Sequence, residues 1–456
     1  MHLVRWSQRR RGRVGEGVLT GRAAGQRGSG AGTAKELLFA DAGLERRDGA
    51  LLLSGVPLVE VAEQAGTPAF VYNAEAIRDR YRSLDLALGP VPHRICFAVK
   101  ANGNLAVLRI LRDLGAGADI VSSGEMARAL AAGFDPEHIV FSGVGKTADE
   151  LREAMRAGIG HLNVESAEEL ELVARIAEAE QAQVRIGIRV NPDVTTKTHP
   201  YISTGKSGIK FGLPTDQVVS AAEFVLRHPL LQLTTLAMHL GSQLVDTEPF
   251  RQGIKRLLEL VEQVRRAGTT TLQVLDIGGG LGIRYSDERS LEPAAFAAAV
   301  LPLLAPTGLT VYLEPGRFLV GSAGVLLTRV LYRKHSGGKE FVVVDAGMND
   351  LVRPSHYQAY HEIVELVEHG RPGVRADVVG PVCETGDFLA LDRDLPGLKA
   401  GDGLAVLGAG AYGFVMASNY NSRTRPPEII VDNGKWWVAR PREQVEGLFN
   451  SEKVSP

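Results

Sequence analysis

The segment Phe97-Ala98-Val99-Lys100-Ala101-Asn102 ends an apolar run on a single lysine. Isolated lysines are usually solvated surface charges, but one held at the mouth of a packed structure loses part of its hydration. Its pKa can then fall, and the amine becomes a nucleophile able to form a Schiff base with a carbonyl. Further on, Asp276-Ile277-Gly278-Gly279-Gly280-Leu281-Gly282 offers backbone N–H groups with no side chains in the way, a cradle for phosphate. The plainer reading of that run is a tight turn. His239-Leu240-Gly241-Ser242-Gln243 adds a flat ring and a hydroxyl, and Glu314-Pro315-Gly316-Arg317 adds a carboxylate and a guanidinium. Each motif is weak alone. Together, an amine nucleophile, an anion cradle, a stacking ring and a carboxylate are what pyridoxal 5'-phosphate requires. The carboxylate keeps the pyridine nitrogen protonated, so that the ring can accept electrons from a breaking bond.

These residues need a scaffold that brings them to one place. From Leu37 onward short β-branched runs alternate with helical stretches, as where Ile95 to Val99 precedes a helix over Asn104 to Leu114 with Leu105, Leu108, Leu111 and Leu114 on one face. Strands are predicted to end near Lys100, Val121, Ser142, Glu165, Asn191, His239, Gly278 and Glu314, with helices over 124–132, 147–157, 166–180, 247–267 and 293–304 between most of them. Eight strands in about 220 residues match a TIM-like (β/α)8 barrel, with a doubly wound sheet as the alternative. The polar residues favour the barrel: Lys100, Asp119, Ser142, Glu165, Asn191, His239, Gly278 to Gly280 and Glu314 all fall at strand C-terminal ends, where barrels build their sites. After Arg317 the rhythm changes to short strands (Val325 to Tyr332, Glu340 to Asp345, Ala376 to Val379, Gly403 to Leu407, Glu428 to Val431), the pattern of an antiparallel β domain built as a β-sandwich or Greek-key barrel. The expected divisions are a disordered basic tail at 1–34, strands at 35–68 that join the β domain, a cofactor-binding barrel at 69–316, the β domain at 317–449 and a tail at 450–456.

Composition closes off other classes. The 456 residues carry 51 Lys+Arg against 53 Asp+Glu, a net charge of -2, which argues against a nucleic-acid binder. Cys96 and Cys383 lie far apart, too few for a disulfide framework or zinc ribbon, which suits a reduced, cytoplasmic protein. No apolar run reaches the roughly 18 to 20 residues a spanning helix needs. Residues 1–34 hold seven Arg and one Glu, an unpacked segment that suits a transit peptide only in part, being rich in Gly and poor in Ser. Gly145-Lys146-Thr147 and Gly205-Lys206-Ser207 imitate a P-loop, but the required earlier glycine is Val140 in one and Pro200 in the other. Ile283 stands where a dinucleotide fingerprint needs its third glycine, and the eleven His form no HExxH, so no metal site is expected.

The motifs FAVKAN, SGVGKT, NPDVTTKTHPYISTG, HLGSQ, DIGGGLG, EPGR, MNDLVRP, GPVCETGDF and GAYG occur in order over about residues 37 to 449. In this the sequence resembles the diaminopimelate decarboxylases, within the fold type III family of pyridoxal phosphate enzymes. The stretch 205–212 differs slightly from the family wording, and the basic tail lies outside the pattern. The resemblance implies a barrel with a β domain, a homodimer with sites shared across its interface, and decarboxylation of meso-2,6-diaminopimelate to L-lysine, the last step of lysine biosynthesis. It implies that Lys100 carries the cofactor, that His239 stacks on its ring and that Glu314, followed by Pro315 and Gly316, meets the pyridine nitrogen. Ser242 and Gly278 to Gly280 would bind the phosphate, with Asp119 nearby. Arg317, Arg353, Tyr357, Glu384 and Tyr412 match substrate positions, Tyr412 also touching the phosphate, and Cys383 matches a proton donor from the partner subunit. Charge agrees, because the substrate's far end carries both an ammonium and a carboxylate and so needs an acid and an Arg fork. A related decarboxylase of ornithine, lysine or a carrier-bound substrate, a non-catalytic cofactor carrier and a racemase remain as alternatives.

Overall fold

The computed structural model describes residues 33–194 and 208–453; the remainder of the basic tail, most of the NPDVTTKTHPYISTG motif and Gly205-Lys206-Ser207 lie outside the described residues. The described residues open on a helix cap. Thr33 accepts the Glu36 N–H and Glu36 reaches back to the Thr33 N–H, opening the helix Ala34–Ala42.

Eight parallel strands, His93–Ala98, Gly117–Ile120, Ile139–Phe141, His161–Val164, Val184–Val190, Leu231–Met238, Val274–Asp276 and Thr310–Leu313, form a closed barrel. The last pairs back onto the first through Val311↔His93 and Leu313↔Ile95. The alternative of an open doubly wound sheet is thereby excluded. Helices alternate with the strands because the turns are written into the sequence. Asn104, Ser122, Thr147 and Ser166 each accept a backbone N–H at a helix start, while Gly133 and Gly158 take the left-handed conformation at helix ends. Among the described residues there is also a helix Val218–Arg227, which the sequence reading did not single out.

The second sheet is mostly antiparallel, as expected, with two parallel pairings within it. Gly324–Ser336 runs antiparallel to Lys339–Val344, Gly403–Val406 and Ala69–Asn73. Lys339–Val344 pairs in parallel with Val374–Val379, and Ala69–Asn73 in parallel with Glu428–Asp432. Ala69–Asn73 departs from the expected division: the boundary at 69 gave this strand to the barrel, yet it is hydrogen-bonded between strands from the far end of the chain. All five of its residues are buried, and taking Phe70 out of water alone contributes about 1.5–3 kcal/mol. A continuous apolar run shows that a strand is buried, but not which sheet buries it.

The short sheet Leu44–Arg47, Ala50–Leu53 and Val56–Pro57 lies against this second domain. Leu51 donates its N–H to the Leu366 carbonyl at 2.8 Å, and Leu51, Leu53 and Val61 share one apolar cluster with Val325, Leu327, Leu366 and Ile429. At the barrel mouth the two domains are stitched by backbone: Tyr412 N–H donates to Ala101 O at 2.9 Å, and the Asn102 amide donates to Gly410 O at 3.0 Å.

Candidate active site

Lys100 sits in a one-turn helix, Val99–Ala101, that ends the first barrel strand. Its Nζ donates to Asp119 Oδ2 at 2.8 Å. About a third of the lysine side chain, 34%, faces the mouth, whereas Asp119 is fully buried. Burial pulls the lysine pKa down, but Asp119 and Glu314 beside it outweigh burial and hold the ammonium above the usual lysine range. The lowered pKa expected from the sequence is therefore not what this arrangement produces. A lysine at a strand end meets whatever acids the neighbouring strands supply.

Those acids are themselves unusual. Glu314 is buried, and Ser142 Oγ donates to its Oε1 at 3.3 Å. Burial first, then the charges of Asp119 and Asp276, push its pKa well above the carboxylate range. Burial also pushes Asp276 up to about 6, against the opposing pull of Glu314 and of the Gly278 N–H, which donates to Asp276 Oδ1 at 2.8 Å. The surroundings of Glu314 therefore favour its neutral form over its charged one. Two carboxylate oxygens here, Asp119 Oδ1 and Asp276 Oδ2, are buried with no hydrogen-bond partner. Orphaned buried acceptors are costly and mark a place shaped for a donor.

His239 follows the sixth barrel strand, and its Nδ1 accepts the Gly279 N–H at 3.1 Å, which leaves the ring proton on Nε2. Burial, Arg189 and Lys100 keep the ring neutral by lowering its pKa well below 6.5. Gly278 and Gly280 have φ of +70° and +106°, and a Cβ on Gly278, Gly279 or Gly280 would lie 2.3, 2.1 or 2.4 Å from the carbonyl oxygen of Met238, Glu314 or Gly241. Only glycine fits this loop. Ser242 Oγ accepts from Arg317 Nη2 at 3.1 Å and Nε at 3.3 Å.

Arg317 and Arg353 are both buried, 7% and 5% exposed, and among the described residues no carboxylate pairs with either. Arg317 Nη1 donates to the Tyr285 hydroxyl at 2.5 Å, and its guanidinium lies 4.9 Å from the Tyr412 ring. Arg353 opens the short helix Arg353–Tyr357, which also carries the half-buried Tyr357. Its Nη1 donates to His361 Nε2 at 2.9 Å. Tyr285 and His361 went unnoticed in the sequence, since each is a lone aromatic with no informative spacing. Tyr412 has φ +57° and leans toward Gly316, where an added Cβ would come within 3.4 Å of its hydroxyl. Pro315 O accepts the Ala98 N–H at 3.2 Å, which seats the Glu314 turn beside Lys100.

Cys383 and Glu384 do not join this cluster on their own chain. Both are exposed, on a loop pinned by Asp387, which accepts the N–H groups of Met348 and Val382. The Cys383 N–H donates to Asn421 Oδ1 at 2.9 Å, and the Tyr420 hydroxyl is held up in pKa by its hydrogen bond to Glu384.

The P-loop look-alike has a structural use. Lys146 Nζ donates to Gly143 O, Asn163 O and Glu169 Oε1 at 2.7–2.8 Å, and Thr147 caps a helix. Glu365, His369 and Asp402 bring possible ligand atoms within 4.8 Å of one another, but Arg371 already donates two N–H groups to Asp402 and supplies the compensating cation.

Comparison with known proteins agrees with this geometry. Residues 74–321 match the family described as pyridoxal-dependent decarboxylase, pyridoxal binding domain. A diaminopimelate decarboxylase of Pseudomonas aeruginosa is 48% identical over 410 residues, covering 90% of this chain and 98% of that protein. One from Aquifex aeolicus is 45% identical over 404 residues, covering 88% and 96%. The crystal structure of the Helicobacter pylori diaminopimelate decarboxylase complexed with L-lysine superposes with a TM-score of 0.84 at 40% identity, covering 87% of this chain and 99% of that one. The residues present fit the cofactor named by the family: a glycine cradle that any Cβ would fill, a lysine at the mouth, and buried carboxylate oxygens lacking a donor.

Proposed function

The chain belongs to the diaminopimelate decarboxylases, a branch of the pyridoxal-dependent decarboxylases, and from that premise we propose how its residues divide the work. The reaction is decarboxylation of meso-2,6-diaminopimelate to L-lysine and carbon dioxide, the last step of lysine biosynthesis. Pyridoxal phosphate, when bound, supplies the electron-accepting ring that takes up the electron pair left by the departing carboxylate.

Lys100 is the attachment point. Gly278 to Gly280 and Ser242 hold the phosphate, joined by Tyr412, and His239 lays its neutral ring on the cofactor's face. Glu314, seated by Pro315 and Gly316, faces the pyridine nitrogen. A cationic N–H held there would give the buried acids the donor they lack and would favour the charged form of Glu314, which burial disfavours. Asp119 holds the lysine ammonium in place. Arg317, Arg353 and Tyr357 take the substrate's distal carboxylate, and Glu384 its distal ammonium. Cys383 delivers a proton from Sγ to the carbon that has lost its carboxylate. Because Cys383 and Glu384 are exposed on their own chain, they act in the site of a partner subunit in a homodimer. No described helix is long and apolar enough to cross a membrane, and a cytoplasmic enzyme suits a small-molecule substrate.

The observation that carries the substrate reading is the pair of buried guanidiniums with only neutral partners. A substrate with one carboxylate, such as lysine or ornithine, spends it on the leaving group and has none for the arginines. The test is turnover of meso-diaminopimelate beside ornithine and lysine, in the native protein and in Arg353→Ala. Losing a buried charge-assisted contact costs about 2–5 kcal/mol, so the variant should fall roughly 30-fold or more in kcat/KM on the diacid. Comparable losses on lysine would mean that Arg353 supports structure and does not read the substrate.

A further inference from the structure

Two guanidiniums buried side by side repel one another, so something must hold them together before any substrate arrives. The structure answers with Tyr285 and His361. The Tyr285 hydroxyl accepts from Arg317 Nη1 at 2.5 Å, while the Arg353 guanidinium lies over the Tyr285 ring at 4.7 Å from its centroid. One side chain therefore meets Arg317 with its oxygen and Arg353 with its π face. The ring has little freedom: a Cβ at Gly408, whose φ is +68°, would lie 3.2 Å from two of its carbons. The edge-to-face His361 ring is 5.4 Å away.

His361 fixes the other end. Its Nδ1 lies 2.7 Å from Leu407 O, which can only accept, so Nδ1 carries the proton and Nε2 is left with a lone pair for Arg353 Nη1. The imidazole must be neutral to do this. Burial and the adjacent Arg353 and Arg317 keep it so, lowering its pKa well below 6.5. Tyr285 is balanced in the same way: burial raises its pKa, and the two guanidiniums more than cancel that.

We propose that Tyr285 and His361 are positioning residues that hold Arg317 and Arg353 as a preassembled fork, and that they thereby set the preference for a substrate with a distal carboxylate over one that lacks it. The inference rests on the functional reading above. Neither residue touches the reacting atoms; each acts through an arginine, so its loss should appear in KM for the diacid more than in kcat.

The test uses the holoenzyme and three variants. Tyr285→Phe removes one oxygen and keeps the ring. It should raise KM for meso-diaminopimelate roughly tenfold or more, as expected for a lost hydrogen bond to a charged group, with kcat changed less than about threefold. The inhibition constant of 1,5-diaminopentane, which has no carboxylate, should move less than twofold, whereas that of L-lysine, which keeps the carboxylate the fork reads, should weaken along with KM, and cofactor absorbance should be unchanged. His361→Leu should give the same split, and His361→Gln, whose amide oxygen can accept from Arg353, should recover most of it. If His361→Leu does not fold, Tyr285→Phe decides alone. Equal shifts in KM for the diacid and in inhibition by 1,5-diaminopentane would overturn the proposal in favour of general structural support. Cofactor loss in Tyr285→Phe would overturn it by placing the fork on the phosphate. An unchanged KM would overturn it outright. A native enzyme that ignores the diacid and decarboxylates lysine would instead sink the functional reading itself.

Discussion

Replacing Gly279 by alanine tests the phosphate cradle with a single methyl group. Gly279 does not have a positive φ, so its backbone would accept an alanine, and the cost is contact alone. The new Cβ would stand 2.1 Å from the Glu314 carbonyl oxygen, where contacts essentially never fall below 3.0 Å, so roughly 0.9 Å must be taken up. That oxygen is backbone and cannot swing aside. Glu314 is also tethered here, its N–H donating to Gly278 O at 2.9 Å. The displacement therefore separates the glycine loop from the turn that carries Glu314, the two walls of the proposed cofactor site. Overpacking of this kind costs about 1–3 kcal/mol of stability, and misplacing reacting groups by about 1 Å can cost on the order of a hundredfold in rate. Gly145→Ala is the matched control. It lies in Gly145-Lys146-Thr147, also without a positive φ, and nothing stands within 4 Å of its added Cβ. Cofactor titration followed by absorbance, kcat at saturating cofactor and thermal melting should all be impaired in Gly279→Ala and unaltered in Gly145→Ala. A Gly279→Ala enzyme with native cofactor affinity and rate would refute the claim that this loop must be glycine to hold the cofactor.

Three further outcomes are expected. The purified protein should absorb visible light, borohydride should fix the cofactor to the one peptide containing Lys100, and Lys100→Ala should fold but not turn over; a label on another lysine would sink the assignment. Mixing inactive Lys100→Ala with inactive Cys383→Ala should restore roughly a quarter of the sites, because random pairing makes half the dimers mixed, each with one intact site. No recovery in demonstrably mixed dimers would return Cys383 to its own chain's site or to mere packing. Burial pushes Asp350 up to about 7 against the Gly347 N–H that it accepts. A carboxyl whose folded pKa is raised costs stability as pH climbs from its unfolded value toward that pKa, so the melting temperature of Asp350→Asn should gain on the native protein between pH 5 and pH 8. The unpartnered Asn349 Oδ1 can receive the new amide, and a constant difference across that range would contradict the buried, protonated state.

The barrel was legible in the sequence because its signals are local. Polar residues at Lys100, Asp119, Ser142 and Glu314 mark where apolar strands stop, and caps such as Ser166 mark where helices start. What was not legible depended on partners distant in the chain. Nothing within Ala69–Asn73 says that it pairs with residues beyond 320. Nor does a lone Tyr285 or His361 reveal that it will face an arginine from another loop. The raised lysine pKa has the same origin, since it is set by Asp119 and Glu314, which two other strands bring beside it. Cys383 and Glu384 could be named from their motif, yet one chain alone leaves them facing solvent.

The placement of Ala69–Asn73 also bears on how the molecule is made. This strand leaves the ribosome before any barrel strand, but its neighbour Gly324–Ser336 follows only after about 250 more residues, and Glu428–Asp432 later still. At the usual pace of synthesis, about 5 to 20 residues per second, an apolar edge waits roughly 10 to 50 seconds for its partners. During that interval the nascent barrel is tethered to a sticky, unpaired ribbon of the kind that invites aggregation. A nascent chain stalled before residue 324 would therefore hold all eight barrel strands and still depend on chaperones, because the strand that precedes them belongs to a sheet not yet translated.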